Sequence, residues 1–378
     1  MVATAAALLA LQFLPAGALR ARALRPAAPA DTAGAAFRLH RLAPAQDSVF
    51  VARSTPAASL EILGWRGEHE GDVRLPAAPG PLNPGWGLQQ SPSGARLLDG
   101  TLLLDITGDT IDLAALADPS RVFGFTWRDD SEGACAVRDD GGSASLVEFF
   151  FNPHRATVAT LPLPPDFAFA NQTGPRVLAC NRARRVAVVG LVGLDHSARV
   201  VVLDLVTGEE LGRRTYPAGS AVDLVASADG TLLALDAGPD LSVGPAGPTV
   251  VREIESDRVL LNLGSDRVVR SFSADGQAVL VSAPFQPGAE VLRVRDGASL
   301  FVDSGQGVLL GWAARPQGHD FALAFGTRDG RSCTKGDDGK FPQFCRYLPL
   351  QALEMVAAET GVVVQDGPGV GSWGYRVN

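Results

Sequence analysis

Two stretches decide how this chain folds: AVDLVASADGTLLALDA, from Ala221 to Ala237, and VVRSFSADGQAVLVSAP, from Val268 to Pro284. Each sets one apolar run before a Ser-x-Asp-Gly turn and another after it. Asp-Gly between two β-rich runs signals a hairpin, because glycine adopts the positive φ of a tight turn at little steric cost. The turn glycines, Gly230 and Gly276, are 46 residues apart. A fixed period of that size is the mark of a repeat architecture.

Working outward, weaker copies of the template occur on both sides. They are FRLHRLAPAQDSVFVARS from Phe37, GWGLQQSPSGARLLDG from Gly85, FGFTWRDDSEGACAVRDDG from Phe123, RVLACNRARRVAVVG from Arg176 and GWAARPQGHDFALAFG from Gly311. Several are followed by a second hairpin with a Thr-Gly or Asp-Gly turn: DITGDTIDL at Asp105, VVLDLVTGEELGRR at Val201, LRVRDGASLFV at Leu292 and EMVAAETGVVVQ at Glu354. Two hairpins per period make a four-stranded antiparallel unit. One such unit every 40 to 50 residues is what a propeller blade requires. The predicted fold is therefore an all-β β-propeller of four-stranded antiparallel blades. Seven blades are expected over residues 37–378, with six and eight as alternatives. Apolar positions alternate or run continuously, and turn signals recur too often for long helices.

The strings SADGTLLALD, SADGQAVLVS and VVLDLVTGEEL resemble the repeats of the WD40-like and TolB-like β-propeller superfamily, where Ser-x-Asp-Gly joins two strands of a blade and Asp-x-x-Thr-Gly joins another two. The resemblance spans about Phe37 to Asn378. The Trp-Asp dipeptide of WD40 repeats is absent, and one Gly-His pair, Gly318-His319, falls in a proposed hairpin turn. The resemblance implies a bacterial cell-envelope propeller that engages a protein or peptide across one face.

The 378 residues carry 33 Lys and Arg against 41 Asp and Glu, a net charge of -8. That sign argues against a partner held through its phosphate backbone, so no nucleic acid is expected. Only Lys335 and Lys340 are lysines, the arginine bias of a GC-rich genome. An apolar run from Ala5 to Leu19 is followed by Arg20, Arg22 and Arg25 and by the Pro/Ala-rich segment Pro26 to Ala36. Residues 1–36 therefore read as a signal-like or anchor segment with a linker, the run being short for a membrane span of roughly 20 residues. An extracytoplasmic location follows, secreted, periplasmic or membrane-anchored, with the cytoplasm as the alternative. Membrane contact is expected through this segment alone, and the protein is expected to be a monomer. VGSWGYRVN, at residues 370–378, reads as one more innermost strand that closes the ring against the first blade.

Of four cysteines, Cys333 and Cys345 bracket the polar loop CTKGDDGKFPQFC and are the candidate disulfide. Cys135 and Cys180 sit in apolar stretches, where buried thiols are the expected reading and a pairing between them stays open. None of the spacings fits a CxxC metal site. There is no G-x-S-x-G, P-loop or HExxH, and GVGSWG lies too near the C-terminus for a dinucleotide fold to follow it. His40, His69, His154, His196 and His319 are scattered singly. Asp129, Asp130 and Glu132, Asp139 and Asp140, and Asp337 and Asp338 lack the spacing of a calcium loop and read as turn formers. No catalytic residue, metal or cofactor is expected. Trp86, Trp127, Trp312 and Trp373 fall on proposed innermost strands, a position that suits packing between blades.

In a WD40-like order the Ser-x-Asp-Gly turns lie on one face, opposite the starts of the inner strands. The long insert Thr327 to Tyr347 belongs to that opposite face and carries Arg331, Lys335, Asp337, Asp338 and Lys340 beside the cysteine pair. With Arg121 and Arg176, at the starts of inner strands, it forms the expected recognition surface of a non-enzymatic binding or scaffolding module. The alternative is a lactonase-like hydrolase with a small-molecule site in the central channel.

Overall fold

The structure is a computed structural model. It describes residues 121–303 with breaks at 153–154, 171–173, 237–246 and 284–287, residues 91, 113 and 116–118, and the strands on either side of that stretch between 37 and 366. Among the described residues, 28 strands form seven four-stranded antiparallel sheets, each built from four consecutive strands. The first sheet comprises β1 (Phe37–Ala43), β2 (Ser48–Arg53), β3 (Ser59–Gly64) and β4 (His69–Arg74). The second comprises β5 (Gln89–Gln90), β6 (Arg96–Asp99), β7 (Leu102–Asp105) and β8 (Thr110–Asp112). Next come β9 (Val122–Trp127), β10 (Gly133–Asp139), β11 (Ala144–Asn152) and β12 (Arg155–Pro162), then β13 (Arg176–Asn181), β14 (Val186–Val192), β15 (Ala198–Asp204) and β16 (Glu210–Tyr216). The fifth holds β17 (Asp223–Ala226), β18 (Leu232–Asp236), β19 (Thr249–Glu253) and β20 (Val259–Gly264), and the sixth β21 (Val268–Phe272), β22 (Ala278–Ser282), β23 (Ala289–Arg293) and β24 (Ser299–Asp303). The last is β25 (Gly307–Ala314), β26 (Phe321–Thr327), β27 (Ala352–Ala357) and β28 (Val362–Asp366).

The first strand of each sheet lies innermost. β9 packs beside β13, β13 beside β17 and β17 beside β21, while β1 packs beside both β5 and β25. The chain is an all-β propeller, and its sheets are compatible with the seven blades read from the repeat. The first sheet draws all four strands from residues 37–74, with β1 already in the innermost place, so it needs no strand from elsewhere. Residues 370–378 and residues 1–36 lie outside the described residues. Among those described, no helix is long and apolar enough to cross a membrane.

Period-2 alternation makes the blades adhere. Along β11, Val147, Phe149 and Phe151 join Leu98 and Leu103 of the second sheet in one core, whereas Leu146 faces the other way and joins Val177, Val189 and Val201 of the fourth. Trp127, on an innermost strand as expected, is buried in the first of these cores. Its ring meets Phe151 at 5.5 Å and Phe125 edge-on at 5.7 Å. Trp312 also lies on an innermost strand, β25.

The Ser-x-Asp-Gly turns are held by their own side chains. Asp229 Oδ1 accepts from the Thr231 N–H (3.1 Å) and the Ser227 hydroxyl (2.6 Å), and Gly230 N–H donates to the Ser227 carbonyl (2.9 Å). The Ser273–Gly276 turn repeats the pattern. Gly230 stands at φ 71°, and a Cβ there would come 3.1 Å from Val188 Cγ2. Gly230→Ala should therefore cost about 1–2 kcal/mol in urea unfolding. Arg185 occupies the same place in the fourth sheet, at φ 58°, with its N–H on the Arg182 carbonyl (3.1 Å). Arg185→Gly is expected to raise stability by about 0.5 kcal/mol, the relief of left-handed strain exceeding the added freedom of the unfolded chain.

Candidate functional site at the strand-start face

The strands lining the ring axis all begin on one face, and in five of the seven sheets the first strand is bulged against the second, while β5–β6 and β17–β18 pair without a slip. The first strand slips against the second at Leu39/Leu42, Cys135/Val137, Val177/Ala179, Val269/Ser271 and Leu309/Gly311. Such an extra residue twists the strand and re-aims a side chain. In β21 the extra residue is Arg270, between the pairs Val269–Val281 and Ser271–Leu280.

Arg176 opens β13. Its Nη2 donates to the Leu224 carbonyl (2.6 Å) and to the carboxylate of Asp223, which opens β17. The two side chains are 42% and 48% exposed, so the pair joins two blades at the rim while remaining accessible. Desolvation draws the Arg176 guanidinium below its ordinary range. β9 approaches β13 closely here, and the lack of a side chain at Gly124 leaves room for Arg176. Gly124 has φ 62°, and a Cβ there would lie 2.6 Å from Arg176 Cβ.

Asp223 pairs in register with Asp236 at the end of β18. Asp236 is buried and accepts from the Thr249 hydroxyl (3.1 Å), and its charge acts on Arg270 from the following blade. Arg270 Nε donates to Ser282 Oγ at 2.7 Å, and burial lowers its pKa too. Two carboxylates in the fifth sheet are thus flanked by an arginine of the fourth and one of the sixth. Close by, Arg267 pairs with Glu290 at 2.9 Å. Two blades away, Arg121 donates from Nε to the Asp139 carbonyl (2.7 Å), next to Asp140, which accepts from Arg138 Nε (2.7 Å) and the Ser145 hydroxyl (2.5 Å). The Ser145 bond, before the pull of Arg138, holds the Asp140 carboxyl below its usual range.

Arg121 and Arg176 therefore stand on one face, each bonded to a backbone carbonyl. Arg331, Lys335, Asp337, Asp338 and Lys340, with the proposed Cys333–Cys345 bridge, lie outside the described residues. Sequence reasoning missed the carboxylate side of the rim. Asp223 is 47 positions after Arg176, one repeat on, and that spacing was the available signal.

The expectation for the other two cysteines is corrected. Cys135 of β10 and Cys180 of β13 form a disulfide, Cα–Cα 6.1 Å, between neighbouring blades. Their separation of 45 residues matches the repeat, and stacking sets the second strand of one blade against the first strand of the next. Asp129, Asp130 and Glu132 act as turn and inter-blade partners. Asp129 accepts from the backbone N–H of Arg182 (2.5 Å) and Ala183 (3.3 Å), Asp130 accepts from Arg128, and Glu132 meets Arg96 at 3.1 Å. Among the described residues no group of three or more His, Cys, Asp and Glu is arranged to hold a metal ion.

No protein-family model matches the sequence, and a search of characterised proteins finds no match. Solved structures similar in chain path include the Cps50 (Swd1) β-propeller domain of Myceliophteria thermophila, with 14% identity over 77% of this chain and 93% of that one, TM-score 0.48. Another is a chain of the mitotic checkpoint complex, with 13% identity over 76% of this chain and 83% of that one, TM-score 0.49.

Proposed function

We propose that this propeller is a non-enzymatic, TolB-like protein-binding module of the bacterial cell envelope, and that its strand-start face receives the partner. The observation carrying this reading is the half-exposed Arg176–Asp223 pair, fixed across two blades with Leu224 and offering both signs of charge at the rim. Charges held in place and left partly in water suit a protein surface, where they set specificity and the rate of encounter more than raw affinity. The charged insert from Thr327 to Tyr347, assigned to the same face by the sequence alone, belongs to this reading. The extracytoplasmic assignment is supported by the Cys135–Cys180 bridge, since structural disulfides persist in oxidising compartments.

The test is affinity capture of cell-envelope proteins by the full chain, with Arg176→Glu and a deletion of 328–346 as comparisons, beside a lactonase and esterase panel. A partner that binds the parent chain and is lost from both variants is the expected result. Turnover abolished by a chelator would replace the binding reading with the channel hydrolase. Recovery of the chain from the cytoplasm with Cys135 and Cys180 reduced would sink the envelope assignment.

A further inference from the structure

Among the described residues the outermost strand of each blade pairs with a strand on one side only, and such edges invite pairing with other chains unless something blunts them. Most outer edges here are blunted. The β3–β4, β15–β16, β19–β20, β23–β24 and β27–β28 pairs each contain a register break, and β8 has three residues. β16 also carries Glu210, Arg213 and Arg214. β12 differs on every count. Its eight residues, RATVATLP, pair with β11 without a break from Asn152–Arg155 to Ser145–Pro162, and no charge falls between Ala156 and Pro162.

The direction of its free groups follows from the ladder. Leu163 N–H donates to the Ala144 carbonyl at 2.9 Å, and Phe151 N–H donates to the Glu132 carbonyl, on the β10 side, at 2.8 Å. Alternation along antiparallel strands then turns Thr157, Ala159 and Leu161 toward β11, and turns the N–H and C=O of Ala156, Val158 and Thr160 outward. Pro162, which has no N–H, takes an outward place at the end of the row. Ala159, Thr160 and Pro162 are exposed, and among the described residues no strand lies on this side of β12.

We infer that β12 is a dimerisation edge, pairing antiparallel with β12 of a second copy about a two-fold axis at Val158. In that register Ala156 faces Thr160 of the second copy, Val158 faces Val158, and every outward N–H of both strands meets a carbonyl, with Pro162 beyond the paired zone. Thr157 falls opposite Ala159, so no like charges meet across the seam. A foreign peptide is disfavoured because strand addition takes its specificity from side-chain pockets. Both faces of β12 are already covered: Ala156 and Val158 pack on the Phe149 and Trp127 core, and Leu161 packs on the core shared with the fourth sheet. The pairing would join two four-stranded sheets into one across the molecular axis.

Sedimentation equilibrium of the full chain over micromolar to hundred-micromolar concentrations tests this. The expected species has twice the 39.4 kDa chain mass. Thr160→Lys sets a cation against the second copy and should weaken association at least tenfold, with the circular dichroism spectrum unchanged and with the same thermal midpoint as the parent chain at concentrations where both are monomeric. Val158→Pro removes the central outward donor and no internal ladder bond, so it should give a folded monomer. A monomeric parent chain at every concentration overturns the inference. So does a dimer indifferent to Thr160→Lys, which would place association elsewhere, including residues 1–36, and this variant decides the matter if Val158→Pro fails to fold.

Discussion

Replacing Arg128 by Met should destabilise the protein by about 3–5 kcal/mol in chemical unfolding, because it leaves the Glu148 carboxylate buried without its closest partner. The Arg128 and Glu148 side chains are 6% and 3% exposed, with Nη1 to Oε1 at 3.1 Å. Arg182, from the next blade, reaches Glu148 only at 3.8 Å, and both guanidinium groups lie over the Phe150 ring, at 5.2 and 6.0 Å. The double replacement Arg128→Met with Glu148→Leu should recover most of the loss, since a buried pair exchanged for apolar groups of similar volume is often near neutral. A double variant as unstable as the single one would place the cost in packing.

The same carboxyl gives a pH signature. Desolvation raises the Glu148 pKa above its ordinary value of 4.5, against the pull of Arg128 and Arg182. Between the two values the folded state holds more protons than the unfolded. Its contribution to stability is therefore full below pH 4.5 and is lost as pH rises through the folded value. Glu148→Gln should remove that decline. Unfolding curves of parent and variant that run parallel across the range would contradict the assignment.

Removing the Cys135–Cys180 bridge is the other large effect. The linked residues are 45 apart, and closing a loop of that length in the unfolded chain is worth about 4 kcal/mol in the chain-entropy model. The paired substitution Cys135→Ala with Cys180→Ala should lose about that much. Both cysteines are buried, at 0% and 2% exposure, so a reductant should act on the native protein only through unfolding. Rapid reduction under native conditions, with no change of midpoint, would show that the bridge does not constrain the fold.

The repeat was legible wherever glycine marked a turn, as at Gly230, Gly276, Gly208 and Gly297. It was weaker where another residue held the same backbone, and in one blade it was lost. Asp257 N–H donates to the Glu253 carbonyl as Gly208 does to Asp204 and Gly297 to Arg293, yet Asp257 does so at φ 57°. The second hairpin of the fifth blade was therefore invisible to a search for Gly. Asp257 repays its conformation by accepting from Tyr216 Oη (3.0 Å) and pairing with Arg252 (3.4 Å). Ser131, at φ 62°, and Arg185, at φ 58°, stand in for glycine in the third and fourth blades, whose copies of the template are correspondingly weaker. The rim arginines Arg121 and Arg176 were readable as strand starts. Asp223, Asp236 and Arg270 were not, because their meeting depends on the register within one blade and the stacking of three.

Strand order within the sheets also governs how the molecule can assemble. Because each blade is one continuous segment, the bonds between neighbours join residues about one repeat apart, as Arg176 does with Asp223 and Asn181 with Ala228. Folding can then begin at any blade and spread by short loop closures, each with a modest entropic cost. The contact of β1 with β25 is the exception, spanning about 270 residues, and the entropy of that closure falls once the intervening blades have stacked. The ring should thus close last and open first, and amide exchange should be fastest at that seam and slowest in the third to fifth blades, where the disulfide and the buried ion pair lie.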